Sequence, residues 1–269
     1  MSSRTVLVST YALCYIIPMR IGIDIGGTFT DFVIFDENGG AFHTFKTLST
    51  PHDPAQAVLG GLGTMPGDAP PSIVHGSTVA TNALLERNGA RTALITTRGF
   101  RDILTIGRQI RTDIYDFFAD RPDPLVPPES CLEITERVDH QGQVLVPLNR
   151  DELPALIQEL RAQSIESVAI SLLFSFLHPE HEAWLARSLR SAGFAVSASS
   201  EILPEFREYE RTSTTVINAY VSPVMDRYLG RLEKELHTPD FRIMQSNGGS
   251  IRAAEARSQA LRSILSGPA

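Results

Sequence analysis

The stretch "RIGIDIGGTFTDFVIF", residues 20 to 35, limits what this chain can fold into more than any other. Its first half alternates, with Ile21, Ile23 and Ile25 interleaved by Gly22 and Asp24, before the pair Gly26-Gly27. Side chains of a strand point to its two faces in turn, so one face is buried and Asp24 lies on the other. Gly26 and Gly27 remove Cβ atoms where the chain reverses, which opens main-chain N–H groups to a ligand. Thr28 and Thr30 add hydroxyls, and Asp24 and Asp31 put a carboxylate on each side of the turn. A tip of N–H and O–H donors suits phosphate oxygens. Asp24 is then the candidate holder of the Mg²⁺ that accompanies a nucleotide, directly or through water, with Asp31 the weaker candidate. The residues alone leave a plainer alternative open, a Gly-Gly hairpin with solvated aspartates. Neither G-x-G-x-x-G nor G-x-x-x-x-G-K-[ST] spacing occurs at this turn, which argues against a Rossmann site and a P-loop.

The rest of the chain alternates strands and helices, the mark of an α/β domain. "ENGG" predicts a turn into a third antiparallel strand, "AFHTFKT". "DPAQAVLGGL" predicts a helix with Asp53 as N-cap and Pro54 at its first position. "PSIVHG" reads as a strand, "STVATNALLERNGA" as a helix ended by Gly89, and "RTALITT" as the next strand. From Arg98 to Pro128 the pattern is irregular, a length that marks a functional or mobile segment. "CLEITERVDHQGQVLVPL" predicts a hairpin turning at His140-Gln141-Gly142, and Asn149 with Glu152 opens a capped helix to about Ser164. "SVAISLLFSFL" has the continuous apolar run of a buried parallel strand. His178-Pro179 opens another helix and "FAVSASS" another strand. Beyond Glu201 the reading is a helix interrupted at Pro223, a strand "FRIMQ", a turn "SNGG" and a last helix. Trp184 lies in an amphipathic helix and is assigned to the core.

A chain of 269 residues accommodates one or two cores. A net charge of −7 supplies no basic field for nucleic acid or an anionic membrane, so neither partner is favoured. The apolar run from Val6 to Ile17 is shorter than the roughly 20 residues a membrane helix needs. Arg4 fits a signal peptide, but no small-x-small cleavage site follows. Met19 is therefore expected as the natural start, with residues 1 to 19 an extension outside the fold. Cys14 and Cys131 form no disulfide framework and no metal motif, which points to reduced thiols in the cytoplasm.

"DIGGTFTD" resembles the first phosphate motif of the actin, hexokinase and Hsp70 ATPase superfamily. It is most similar to the hydantoinase A and 5-oxoprolinase family. "HGSTVATNALLERNGARTALITTRGFRDIL", "IGRQIRTDIYDF", "EFREYERTSTTVINAYVSP", "IMQSNGG" and "LSGPA" follow in that family's order, so the resemblance covers almost everything after Met19. It implies an actin-like (ribonuclease H-like) α/β fold, with an N-terminal domain over residues 20–198 and the start of a second domain over 199–269. It also implies ATP and Mg²⁺ as cofactors and a cyclic amide such as 5-oxoproline or a hydantoin as substrate. The phosphate contacts would fall to Gly26, Gly27, Thr28 and Thr30.

Three further groups carry candidate roles. His75, Thr78 and Asn82 lie at a strand end and helix start, a natural place for an anion. Taken alone they fit equally an N-cap beside a satisfied core histidine; the resemblance makes them cleft residues of unassigned role. Arg98 and Arg101 are candidates for a carboxylate or phosphate, with surface salt bridging as the alternative. Glu205, Arg207, Glu208, Glu210 and Arg211 read as a charged helix face.

The superfamily's second phosphate loop, another "GGT" motif in this family, does not occur in residues 200–269. The expectation is therefore the N-terminal part of a larger enzyme. Its partner would be a B-type subunit or a missing C-terminal lobe. The stripe Val216, Tyr220, Val224 and Tyr228 is expected to be left exposed for that partner. The competing readings are a non-catalytic or split fragment, and a small-molecule kinase of the same superfamily.

Overall fold

The computed structural model describes residues 19–37, 39–50, 52–64, 71–109, 123–236, 238 and 240–264. The expected start at Met19 cannot be compared with residues 1–18, which lie outside these; the first strand already includes Met19.

The Gly-Gly hairpin begins a sheet. Strands β1 (Met19–Ile25), β2 (Phe29–Asp36) and β3 (Phe42–Leu48) pair antiparallel in sequence order. Helix α1 (Pro54–Leu62) then crosses to β4 (Ser72–Ser77), which lies parallel to β1. Asp53 precedes α1 as expected but its side chain caps nothing; it pairs with Arg231 instead. Helix α2 (Val79–Leu85) is shorter than its sequence suggests and stops before Arg87, whose φ is 54°. Gly89 is thus not its terminator. Gly89 serves packing: a Cβ there would lie 2.2 Å from the ring of Tyr220.

A second, four-stranded sheet follows. It contains β5 (Thr92–Thr97), β6 (Cys131–Ile134), β9 (Ser167–Ser171) and β10 (Ala195–Ala198), all parallel, in the order β10-β9-β5-β6. The expected hairpin over residues 131–148 is corrected here. Its first strand joins this sheet, because Cys131, Leu132 and Ile134 bury their side chains there. Only the short β7 (Arg137–Val138) and β8 (Val144–Val146) form the ribbon that turns near Gly142. The short helix α3 (Ile103–Ile106) follows β5. Helices α4 (Leu153–Ala162) and α5 (Glu180–Ser191) flank β9 in sequence, and α6 (Ser199–Ile202) follows β10. Trp184 is partly buried against this core and lies under the Arg150 guanidinium.

Helix α7 (Glu208–Leu236) runs 29 residues without a break, so Pro223 does not interrupt it. A proline here forfeits the bond to the Ala219 carbonyl, at a cost of about 3 kcal/mol, and packing on both sheets offsets this. Val216 and Ala219 pack with Leu94 and Ala169 of the second sheet, while Val221, Met225, Leu229 and Leu232 pack on the first. The expected exposed stripe is therefore overturned: Val216, Tyr220 and Tyr228 are buried within this chain. The charged face expected at residues 205–211 also fails at Arg211, which is fully buried. Its guanidinium donates to the Leu172 carbonyl at 2.7 Å, pairs with Glu208 and lies over the Phe176 ring.

The chain then returns to the first sheet. Strand β11 (Phe241–Met244) lies parallel to β4, and β12 (Ser250–Arg252) pairs antiparallel with β11. "SNGG" therefore joins two strands rather than a strand and a helix. The helix α8 (Ala253–Ser258) packs back on α7 and closes the apolar cluster. The first sheet has six strands in the order β12-β11-β4-β1-β2-β3, so residues beyond 199 complete a sheet begun at residue 19.

Candidate functional site

Strands β1, β4 and β11 run in the same direction and are neighbours, so their carboxyl ends share one edge. That edge gathers Gly26 to Thr28, Thr78 with the first turn of α2, and the Gln245 to Gly249 turn. Ligands of open α/β sheets bind outside the carboxyl ends of parallel strands.

The hairpin tip is tightly braced. Gly26 N donates to Phe29 O at 2.9 Å, and a Cβ on Gly26 would approach that oxygen to 3.1 Å. Ser49, just past β3, donates its Oγ to Gly26 O at 2.7 Å and its N to Thr28 O at 2.9 Å. Sequence reasoning missed Ser49. The β2–β3 register, which pairs Phe29 with Leu48, would have placed it beside the tip. Gly27 differs from Gly26. It is exposed, its φ is not positive, and a Cβ there would meet nothing within 4 Å. Nothing in the described chain demands a glycine at 27, whereas a ligand approaching the backbone would.

Thr28 is exposed at the tip, but Thr30 is fully buried. Its hydroxyl lies 3.1 Å from Ser49 Oγ, whose single proton is committed to Gly26, so Thr30 donates. The expected phosphate contact from Thr30 is thereby corrected: alternation along β2 turns it inward with Phe32.

Asp24 and Asp31 are direct cross-strand partners on the face away from the core. Asp31 pairs with Lys46 at 3.4 Å. Asp24 has no hydrogen bond or ion pair among the described residues, and burial, then the Asp31 charge, raise its carboxyl above the ordinary aspartate value. It leans beside Gly76 of β4, where a Cβ would sit 2.9 Å from Asp24 Oδ1. Among the described residues no group of three or more His, Cys, Asp or Glu side chains could hold a metal on its own. One free carboxylate beside a donor-rich tip fits Mg²⁺ carried by phosphate oxygens and water.

His75 does not reach this edge. It is fully buried, with Nδ1 3.3 Å from the Ile23 carbonyl and Nε2 2.6 Å from Tyr228 Oη. Burial lowers its pKa to about 4, so the ring is neutral. A carbonyl can only accept, so Nδ1 carries the proton, Nε2 accepts, and Tyr228 donates. Tyr228 in turn is held by Ser77, whose Oγ accepts from Val79 N at 3.2 Å. The cleft assignment of His75 gives way to a core histidine that supports the strand bearing Asp24. Thr78 acts on the same strand, donating to Ile25 O at 3.0 Å. Asn82 is half-buried one turn into α2, and its carboxamide makes no hydrogen bond among the described residues.

Arg98 and Arg101 do not converge on this edge. Arg98 bonds Thr135 and Glu152, and Arg101 bonds the Pro128 carbonyl, so both secure loops around the second sheet. The salt-bridging alternative holds for Arg98. A cavity of about 800 Å³ lies elsewhere, lined by Arg91, Gln163, Glu166 and Tyr220 near the amino ends of β5 and β9. It is large, but it gathers neither the unpaired carboxylate nor the donor-rich tip. No helix among the described residues is long and apolar enough to cross a membrane.

This geometry has counterparts. The chain is 38% identical over 268 residues to the caprolactamase α subunit of Pseudomonas jessenii, covering 93% of this chain and 38% of that one. It is 33% identical to 5-oxoprolinase 1 of Arabidopsis thaliana, of which it spans 23%. The crystal structure of the ATP-dependent caprolactamase from Pseudomonas jessenii matches with a TM-score of 0.82 at 37% identity, over 93% of this chain and 38% of that one. A nucleotide-free acetone carboxylase structure matches with 0.77 at 29% identity, over 93% of this chain and 39% of that one. The chain thus spans well under half the length of these relatives. The fold is the mixed α/β arrangement with parallel strands expected of an actin-like ATPase N-terminal region. The family model described as hydantoinase/oxoprolinase N-terminal region matches residues 20–193, and the hydantoinase/oxoprolinase model matches 211–269, so this chain belongs to the hydantoinase/oxoprolinase family.

Proposed function

We propose that this chain supplies one half of an ATP–Mg²⁺ site, and that the protein completed around it uses ATP to open a cyclic amide. One observation carries the reading: an open glycine and an unpaired carboxylate, Gly27 and Asp24, at the carboxyl edge of three parallel strands. Gly27 and Thr28 would hold phosphate oxygens through backbone N–H groups and the Thr28 hydroxyl, while Gly26, whose N–H is spent on Phe29 O, shapes the turn instead of contacting phosphate. Asp24 would hold Mg²⁺, which when bound neutralises charge on the phosphates. Asn82 and Thr78 flank the same edge.

The named relatives support the chemistry. A caprolactamase and a 5-oxoprolinase act on cyclic amides by name, and two of the matched structures are described as ATP-dependent. A lactam resists attack because resonance feeds its carbonyl. Transfer of the γ-phosphoryl group from ATP to the carbonyl oxygen, with ADP leaving and the ring N–H proton lost, would make an imidate whose carbon water can attack. The C–N bond then breaks with the proton going to nitrogen, and a second water releases phosphate from the acyl phosphate left behind. The protein's share is positioning and charge stabilisation. A single lobe leaves the phosphates in water, so the 269-residue chain alone should bind nucleotide weakly and turn over nothing. Its partner would be a B-type subunit or the remaining lobe, in the cytoplasm.

The test is titration of MgATP into the chain, followed by calorimetry and by Mn²⁺-induced broadening of the phosphorus resonances. Weak binding that Gly27→Val and Asp24→Asn each reduce is expected. Binding that survives both substitutions would sink the reading, as would lactam-stimulated turnover by the chain alone.

A further inference from the structure

Strand register fixes which residues share the second face of the six-stranded sheet. Across β1 and β2, Arg20, Gly22 and Asp24 oppose Phe35, Val33 and Asp31. Across β2 and β3, Phe29 opposes Leu48 and Phe35 opposes Phe42. β4 sets Val74 beside Gly22. Helices α1, α7 and α8 all pack on the other face, around Ile23, Phe32 and Ile73. On this second face Phe42 and Leu48 are each 69% exposed, and Phe29 and Val33 each 43%. None of its apolar side chains belongs to any of the apolar clusters formed by the described residues.

Three observations say that the face takes a cover. The sheet is mixed, and its parallel part, β1, β4 and β11, is of the kind that is usually covered on both faces, whereas its antiparallel part can face water. Gly22 is the second. It sits mid-strand, where glycine weakens a sheet, yet its φ is not positive and a Cβ there would meet nothing closer than 3.9 Å. This chain alone has no use for a glycine at 22; a strand glycine of that kind marks close approach by another backbone. The third is length, since the matched region is only 38% of the caprolactamase α subunit.

We infer that this face is the docking surface for the polypeptide that the longer relatives carry beyond the matched region, seated with its backbone close over Gly22. In α/β folds a sheet face is covered by helices, so the occupant is an amphipathic helix with its apolar side toward Val33 and Val74. This places the partner surface on the sheet and not on α7. It deepens the nucleotide reading, on which it rests only for its catalytic meaning: Asp24 is on the same face, so the docked segment closes over the phosphate tip.

The experiment co-expresses this chain with the part of the Pseudomonas jessenii caprolactamase α subunit beyond the matched region, without nucleotide. The complex is followed by size-exclusion chromatography with light scattering. The wild-type chain should form a one-to-one complex. Gly22→Val should weaken it at least tenfold while the chain alone melts no lower than wild type, because a β-branched residue fits that strand position. Leu85→Asp, at an exposed site on α2 outside the face, should leave the complex intact. Absence of a wild-type complex would overturn the inference. So would a complex indifferent to Gly22→Val, loss with Leu85→Asp, or a Gly22→Val chain that melts lower. A homodimer broken by Gly22→Val, with no heterocomplex, would replace the partner by a second copy and overturn it equally. Because the assay contains no nucleotide, its failure leaves the ATP titrations standing, and theirs leaves it standing.

Discussion

The two sheets share helix α7 and differ in what lies on their far sides. In the four-stranded sheet every residue of β5 and β9 is buried. Val168 and Ile170 face one apolar cluster with α4 and α5, and Ala169 faces α7 on the other side. In the six-stranded sheet β1 alternates, with Ile21, Ile23 and Ile25 buried and Arg20 and Asp24 exposed. Doubly covered strands lose both faces to the core and need apolar or hydroxyl side chains throughout. A singly covered strand keeps a free face, and here that face holds the carboxylate proposed for metal. Among the described residues the first sheet is packed on one face and the second on both.

The comparison breaks most easily at matched positions of the two sheets. Ile170→Ala, at a fully buried site, should cost about 2–5 kcal/mol through lost transfer energy and a residual cavity. Val33→Ala on the open face should change stability by no more than about 0.5 kcal/mol. Urea denaturation of both variants measures this directly, and equal losses would erase the distinction.

Acid sharpens it next. His75 lies under the first sheet with its pKa lowered to about 4 from 6.5. The unfolded chain therefore takes up this proton first as pH falls. The contribution is complete above 6.5, declines between 6.5 and about 4, and amounts to about 3 kcal/mol at 1.36 kcal/mol per unit. Chemical denaturation at several pH values should show this slope, and His75→Gln should flatten it. An unchanged slope would mean that other groups control acid lability.

The smallest expected effect has the most informative sign. Asp24 has a raised carboxyl pKa, so its ionised form opposes folding, and that opposition fades as pH falls through the raised value. Asp24→Asn removes a like-charge pair with Asp31 and should stabilise the chain by about 0.2–1 kcal/mol at neutral pH. It should also weaken MgATP binding. Gained stability with lost binding is the signature of a residue kept for function. A variant that loses both would mark Asp24 as structural.

Much of this was legible from residue order. The hairpin, the three antiparallel strands, β4, β5, β9 and β10 announce themselves because strand periodicity is local and turn residues are chemically specific. The exposed tip with Gly27 and Asp24 was legible for the same reason. Thr30 misled because a hydroxyl beside a turn looks available until the β2 register turns it inward onto Ser49. His75, Arg98 and Arg211 misled for a related reason: a polar side chain declares its chemistry in sequence but not its partners. Tyr228, which satisfies His75, is 153 residues away.

By itself, then, the sequence determined the class of fold, the family and the glycine-tipped hairpin, since each depends on neighbours within a few residues or on an ordered set of motifs. Tertiary structure decided which polar groups are used up internally. It also brought β11 beside β4 across most of the chain. Above all it showed that α7 buries its apolar stripe within this chain and that no helix among the described residues covers the far face of the first sheet. Burial is a property of pairs of surfaces. A strand's alternation says that it has two faces, and only packing says which of them is covered.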